Sequence, residues 1–241
     1  KNKKYYSGQI GDYSIYSFNI MKNISSFYGG AVSTNNAEFK KFYNIQESKL
    51  KNFPTLPLLK QILIFLILKI MSINFLYKYF FIYIINFSHK NNIRFFLKLF
   101  YPSLKSIKKK FPNYYFSKIS KISIITTYLQ LKNESIRKRI FNFRKNNHKY
   151  YLKKISDIKS TKINVIKIKD INYQNFLEFP LLVKKKNELN NYLLTKGIEI
   201  RYKHYYNCEK KFNNTKNCIN AEKYEKELVC LPLHKKIKKN Y

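Results

Sequence analysis

Lys22 follows a hydroxyl, Ser17, by five residues and precedes a glycine pair, Gly29-Gly30. A free lysine amine titrates at about 10.4 and is a poor nucleophile at neutral pH. Desolvation or a neighbouring cation lowers that value and frees the lone pair, and the amine can then attack an electrophile or carry a proton. One lysine among 48 Lys and Arg is ordinarily a solvated surface group. What singles out Lys22 is its surroundings, and those depend on the elements that flank it.

The flanking residues read as strand, tight loop, strand. Tyr13 to Phe18 alternates rings with small or aliphatic residues, which suits a pleated strand. Asn19 to Tyr28 breaks the alternation. Gly29-Gly30 permits a turn that a Cβ would block, and Ala31-Val32-Ser33-Thr34 resumes an extended run. Lys22 is therefore expected on a loop at the end of a buried strand.

In order and spacing, Gly8, Gly11, Asp12, Ser17, Phe18, Lys22, Asn23 and Gly29-Gly30-Ala31-Val32 resemble the active-site segment of the sugar aminotransferases of the DegT/DnrJ/StrS type, which use pyridoxal phosphate (PLP). The tail is similar to the same family through Phe179-Pro180, Val183, Lys196-Gly197-Ile198, Arg201, His204-Tyr205, Asn220-Ala221-Glu222 and Leu231-Pro232-Leu233-His234. The resemblance implies an α/β chain, the C-terminal part of a fold-type I PLP-dependent transferase. It implies the end of the large cofactor domain over residues 1–52, an apolar helical insertion over 53–116, linking helices over 117–161 and a small α/β domain over 162–241. Lys22 would form the Schiff base with PLP and shuttle the proton, and Ser17 would bond the cofactor phosphate. Asn23, Arg201, His204 and Tyr205 would meet substrate, with Arg201 suited either to a bidentate grip on an anion or to a structural ion pair. Glutamate would donate the amine to a nucleotide-linked keto sugar, in polysaccharide or lipopolysaccharide sugar synthesis, and the active protein would be a homodimer. The cofactor-stacking aromatic and the aspartate that pairs with the pyridine nitrogen would belong to a preceding half, so the chain looks like a fragment or one part of a split enzyme.

Composition adds less than its extremes suggest. The net charge is +35, which read plainly calls for a polyanion such as nucleic acid or an anionic membrane surface. The excess is spread along the whole chain, and alanine stands only at Ala31, Ala37 and Ala221. Such a bias is what an AT-rich coding sequence produces, so nucleic acid is not the expected partner. Cys208, Cys218 and Cys230 form no C-x-x-C pair, so no metal site is expected and reduced thiols in the cytoplasm are the plainer reading. Lys1 to Tyr6 show no apolar signal-like stretch.

Asn35 or Asn36 can cap a helix running to about Leu50, with Phe39, Phe42 and Tyr43 on its apolar stripe. Leu56 to Phe87 is almost wholly Leu, Ile, Phe and Tyr, interrupted by Lys60, Lys69 and Lys78. It suits helices that dip into a membrane face or pack on a partner subunit, with Lys105 and Lys108 to Lys110 near lipid headgroups. Ser117 to Leu131 and a basic run to Lys154 read as two helices, with Gln130 where the family's motif has a glycine. Beyond them are expected a strand at Ile163 to Lys169, an edge strand at Phe179 to Val183 because it contains Pro180, and a helix at Asn187 to Lys196 closed by Gly197. A strand at Ile198 to Tyr202, a helix at Asn220 to Glu227 and a strand at Val229 to Leu233 complete the tail. Two other readings stand beside the enzyme: a non-catalytic half-enzyme held at a membrane or a partner, and a basic nucleic-acid-associated protein.

Overall fold

A computed structural model describes residues 8–19, 22–93, 111–158, 160–166, 175–202, 205, 207–208 and 218–234. His204, Lys105, Lys108 to Lys110 and residues 167–169 of the expected strand lie outside the described residues. In chain order the elements are β1 Tyr13–Ser17, β2 Gly30–Thr34, α1 Ala37–Lys49, α2 Thr55–Met71 and α3 Asn74–Lys90. There follow α4 Lys121–Lys132, α5 Glu134–Ser156, β3 Ile163–Val165, β4 Glu178–Val183, α6 Lys186–Thr195, α7 Ile219–Glu227 and β5 Leu228–Pro232. The chain divides into two compact units, Lys1–Met71 with Lys108–Arg137, and Ser72–Ile107 with Lys138–Tyr241. The segment 53–116 is thus shared between them.

In the first unit β1 and β2 form a two-stranded antiparallel sheet, with Tyr13 opposite Thr34 and Ser17 opposite Gly30. The strand expected to be buried is not: Ser14 is the one buried residue of β1, and Ile15 is 84% exposed. Two strands have too few neighbours to cover either face. Helix α1 begins where the sequence signals it, because the Asn36 side chain accepts from Phe39 N at 2.9 Å. The apolar stripe expected on α1 buries no residue, although the Phe39 ring lies 4.8 Å from that of Tyr13. Rings of Tyr28, Phe53 and Tyr114 form a separate cluster, centroids 5.3–5.8 Å apart, and burial pushes the Tyr28 phenol up to about 12.

The second unit holds the packed core. Its sheet runs β3-β4-β5, all antiparallel. Along β4 burial alternates, so Phe179, Leu181 and Val183 point inward. Phe176, Ile200, Tyr202, Val229 and Leu233 join them, and α5 lays Phe141, Tyr151, Leu152 and Ile155 against the cluster. β4 is the central strand, not the edge strand that Pro180 led one to expect. The register explains how: β3 ends at Val165 opposite Leu181, one residue short of Pro180, so the missing N–H removes no bond on that side. On the other side Pro180 faces Cys230, whose N–H and C=O both bond Arg201 instead.

Residues 198–202 also depart from expectation. They make a single bridge, Arg201 with Cys230, in place of a full strand. The preceding turn sets them off: Gly197 adopts φ +76°, Ile198 N donates to Leu193 O at 2.8 Å and Gly197 N to Leu194 O at 3.0 Å. That pair of bonds closes α6 at a left-handed glycine. Ile200 and Tyr202 remain buried without a regular ladder.

Candidate functional site

Lys22 stands on the bend after β1 and is exposed, as are Ser17 and Asn23. The loop that carries Lys22 is held by its own backbone and by α4. Phe18 N donates to Gly29 O at 3.1 Å, Lys22 N to Asn19 O at 3.0 Å and Ser26 N to Phe18 O. Ser25 Oγ donates to Lys22 O at 3.0 Å.

The longer tether was not visible in sequence. The Gln130 amide clamps Ser25 from both sides: its Oε1 accepts from Ser25 N at 3.0 Å and its Nε2 donates to Ser25 O. One residue on, Ser26 is buried, and its Oγ donates to Ser123 O at 3.0 Å and lies 3.0 Å from Thr126 Oγ1. Ser123, Thr126 and Gln130 are spaced by three and four residues, so they share one face of α4. Their helix starts at Ser120, whose Oγ accepts from Ser123 N at 3.2 Å. The signal that could have found this face is the run of hydroxyls and amide at helical spacing in an otherwise aliphatic helix.

The glycine pair has a steric reason. Gly29 sits at φ +115°, and a Cβ on it would run into the Ile119 side chain. A Cβ on Gly30 would run into the Tyr16 carbonyl of the paired strand. Both positions thus need to be bare for β2 to pair beside Ser17 and for the loop to return.

The tail residues gather separately in the second unit. Arg201 pairs with Glu178 through its guanidinium, so the structural use foreseen for Arg201 is realised. Burial pushes the Cys230 thiol up to about 12, with the Glu178 carboxylate adding to the effect. Tyr205 is likewise pushed up to about 12, first by burial and then by Cys230 and Glu178. Asn147 on α5 donates to the backbone oxygens of Leu233 and His234 at 3.4 and 3.3 Å. The structure therefore brings together Arg201 and Tyr205, with Glu178 and Cys230 added, whereas Ser17, at the end of β1, and Lys22 and Asn23, on the loop after it, are each exposed.

No protein-family profile matches the chain, and no curated protein matches it by sequence. Solved structures do match. PseC of Helicobacter pylori, an aminotransferase involved in the biosynthesis of pseudoaminic acid, shares 17% identity with a TM-score of 0.56, over 98% of this chain and 52% of that one. A DegT DnrJ EryC1 StrS aminotransferase from Brucella abortus shares 12% with a TM-score of 0.52, over 95% and 48%. The fold is that of the C-terminal half of a DegT/DnrJ/EryC1/StrS-type sugar aminotransferase. E. coli GDP-4-keto-6-deoxy-D-mannose-3-dehydratase, solved with bound hydrated PLP, has the same fold at 17% identity and a TM-score of 0.57, over 94% and 51%. The chain spans about half the length of these aminotransferase-fold structures, and at such identities the likeness is one of fold.

The residues of the first unit suit PLP. An amine and a hydroxyl, Lys22 and Ser17, are a donor set for an aldehyde and a phosphate. Ser17 pairs with Gly30, at a β2 start that tolerates no Cβ.

Proposed function

We propose that this chain is the C-terminal part of a PLP-dependent aminotransferase that moves an amino group from glutamate to a nucleotide-linked keto sugar. The observation that carries the reading is the Lys22 loop: a lysine after Ser17, tied down by Gln130 and closed by the Gly29-Gly30 turn, in a chain with this fold. When bound, PLP supplies an aldehyde for covalent attachment and a ring that draws electrons from the substrate carbon. Lys22 Nζ would hold the cofactor aldehyde and, when free, would move a proton to and from the substrate carbon that bears the transferred nitrogen. Ser17 Oγ donates to the phosphate. The clamp on Ser25 and Ser26 keeps the Lys22 loop from fraying and so holds the amine in place.

Asn23, Arg201, His204 and Tyr205 contact substrate in this reading. Arg201 keeps 28% of its side chain exposed beside Glu178, so it meets a substrate anion in competition with that carboxylate. The active protein works as a homodimer in the cytoplasm and touches a membrane surface through residues 56–87.

The chain is incubated with PLP, reduced with borohydride and digested, and the modified lysines are located by mass. Label concentrated on the Lys22 peptide, and lost in Lys22→Ala, supports the reading. Label spread evenly over the many surface lysines, with no excess at Lys22, removes it.

A further inference from the structure

Helix α2 buries no residue, yet it is the most apolar helix among the described residues. One side of it is half-buried, and the Phe65 ring meets that of Phe27 edge-on at 5.7 Å. The other side is open. Leu56, Leu59, Leu63, Leu66, Ile67 and Ile70 recur at spacings of three and four residues and so line a single stripe. Each is exposed, from 43% at Ile67 to 78% at Leu56. By helical rotation, Lys60 falls along one border of this stripe and Lys69 falls beyond the other, both exposed.

Such spacing suits either a second helix or a lipid surface, and charge decides between them. No acidic residue stands anywhere between Glu47 and Glu134. A second copy seated α2 against α2 would bring its own Lys60 and Lys69 against these, and neither helix nor its neighbours in sequence carry a carboxylate to answer them. Anionic headgroups answer both, while the lysine stems lie along the apolar face. At 17 residues α2 is short for a crossing, and among the described residues no single helix is long and apolar enough to cross a membrane.

We infer that α2 seats the protein on an anionic bilayer, with the Leu56–Ile70 stripe sunk to the level of the acyl chains and Lys60 and Lys69 at the headgroups. This deepens the membrane contact proposed above and is independent of the PLP chemistry.

The chain contains no tryptophan, so Leu63→Trp is a clean reporter. Vesicles of phosphatidylcholine with phosphatidylserine should shift its emission to the blue, and vesicles of phosphatidylcholine alone should do so far less. A tryptophan at Lys41, on α1, should not shift. In flotation, the uncharged change Leu63→Ser should weaken binding about tenfold or more. Lys60→Gln with Lys69→Gln should weaken it more than Lys40→Gln with Lys41→Gln, which removes the same charge elsewhere. An unshifted Leu63→Trp, binding indifferent to Leu63→Ser, or a lipid-free dimer that Leu63→Ser dissociates with no vesicle binding overturns the inference. PLP labelling at Lys22 is read on the same samples and fails or survives separately.

Discussion

The β1–β2 hairpin and the β3-β4-β5 sheet are built from similar residues and meet opposite fates. β4 turns Phe179, Leu181 and Val183 into a core shared with α5, and each is at most 5% exposed. β1 alternates as cleanly, but Ile15 and Tyr16 stay exposed and Ser14 alone is covered. Apolar alternation therefore makes a strand in both places but makes a core only where a helix arrives to cover it. The strands of the hairpin bury no apolar side chain, and its loop is held by the Gln130 clamp on Ser25 and the buried Ser26 hydroxyl together with the rings of Phe27 and Tyr28. The packed region provides stability, and the sparsely packed one carries the proposed chemistry.

The sharpest break in that comparison is functional. Lys22→Ala should abolish PLP trapping at the hairpin and leave the urea unfolding transition of the second unit unmoved. Next comes stability. Phe179→Ala should cost about 3–5 kcal/mol, whereas Ile15→Ala on the open strand should stay within about 0.5 kcal/mol. Equal losses by urea denaturation would erase the distinction between the regions. Gln130→Ala leaves Ser25 N–H and C=O without their partner and should cost about 1–3 kcal/mol locally. Amide exchange at Ser25 should quicken while the β4 amides stay protected.

The smallest effect is pH-dependent and belongs to the packed region. His148 is 2% exposed, its ring stacks edge-on against Phe176 and Phe179, and among the described residues neither ring nitrogen has a hydrogen-bond partner. Burial holds its pKa below the usual 6.5. The unfolded chain then binds the proton more readily than the folded one. Stability is full above about pH 6.5 and declines as pH falls below it, levelling off below the folded value. His148→Phe should flatten that acid slope in the second unit's unfolding midpoint, and a slope unchanged by the substitution would point to the carboxylates instead.

How much of this could be read from the chain differs by range. The cap at Asn36, the left-handed end at Gly197, the helix expected at Asn220 to Glu227 and the existence of a strand at Phe179 to Val183 are local matters of donor, backbone freedom and residue type, and all were legible. The order of Ser17, Lys22 and Gly29-Gly30 was legible for the same reason. Pro180 misled because its cost depends on where the neighbouring strand stops, and β3 stops one residue short. Ile198 to Tyr202 misled because β-rich residues need a ladder, and the single bridge at Cys230 is what the fold supplies.

Sequence alone settled the local elements and the spacing of Ser17, Lys22 and the glycine pair, since bonds a few residues long depend on neighbours already in hand. The tertiary structure alone decided that Gln130 grips Ser25, that Glu178 occupies Arg201, that β1 goes uncovered and that one stripe of α2 is left open. Those outcomes rest on pairings far apart along the chain and on which surfaces find a partner, and no window of residues carries that information.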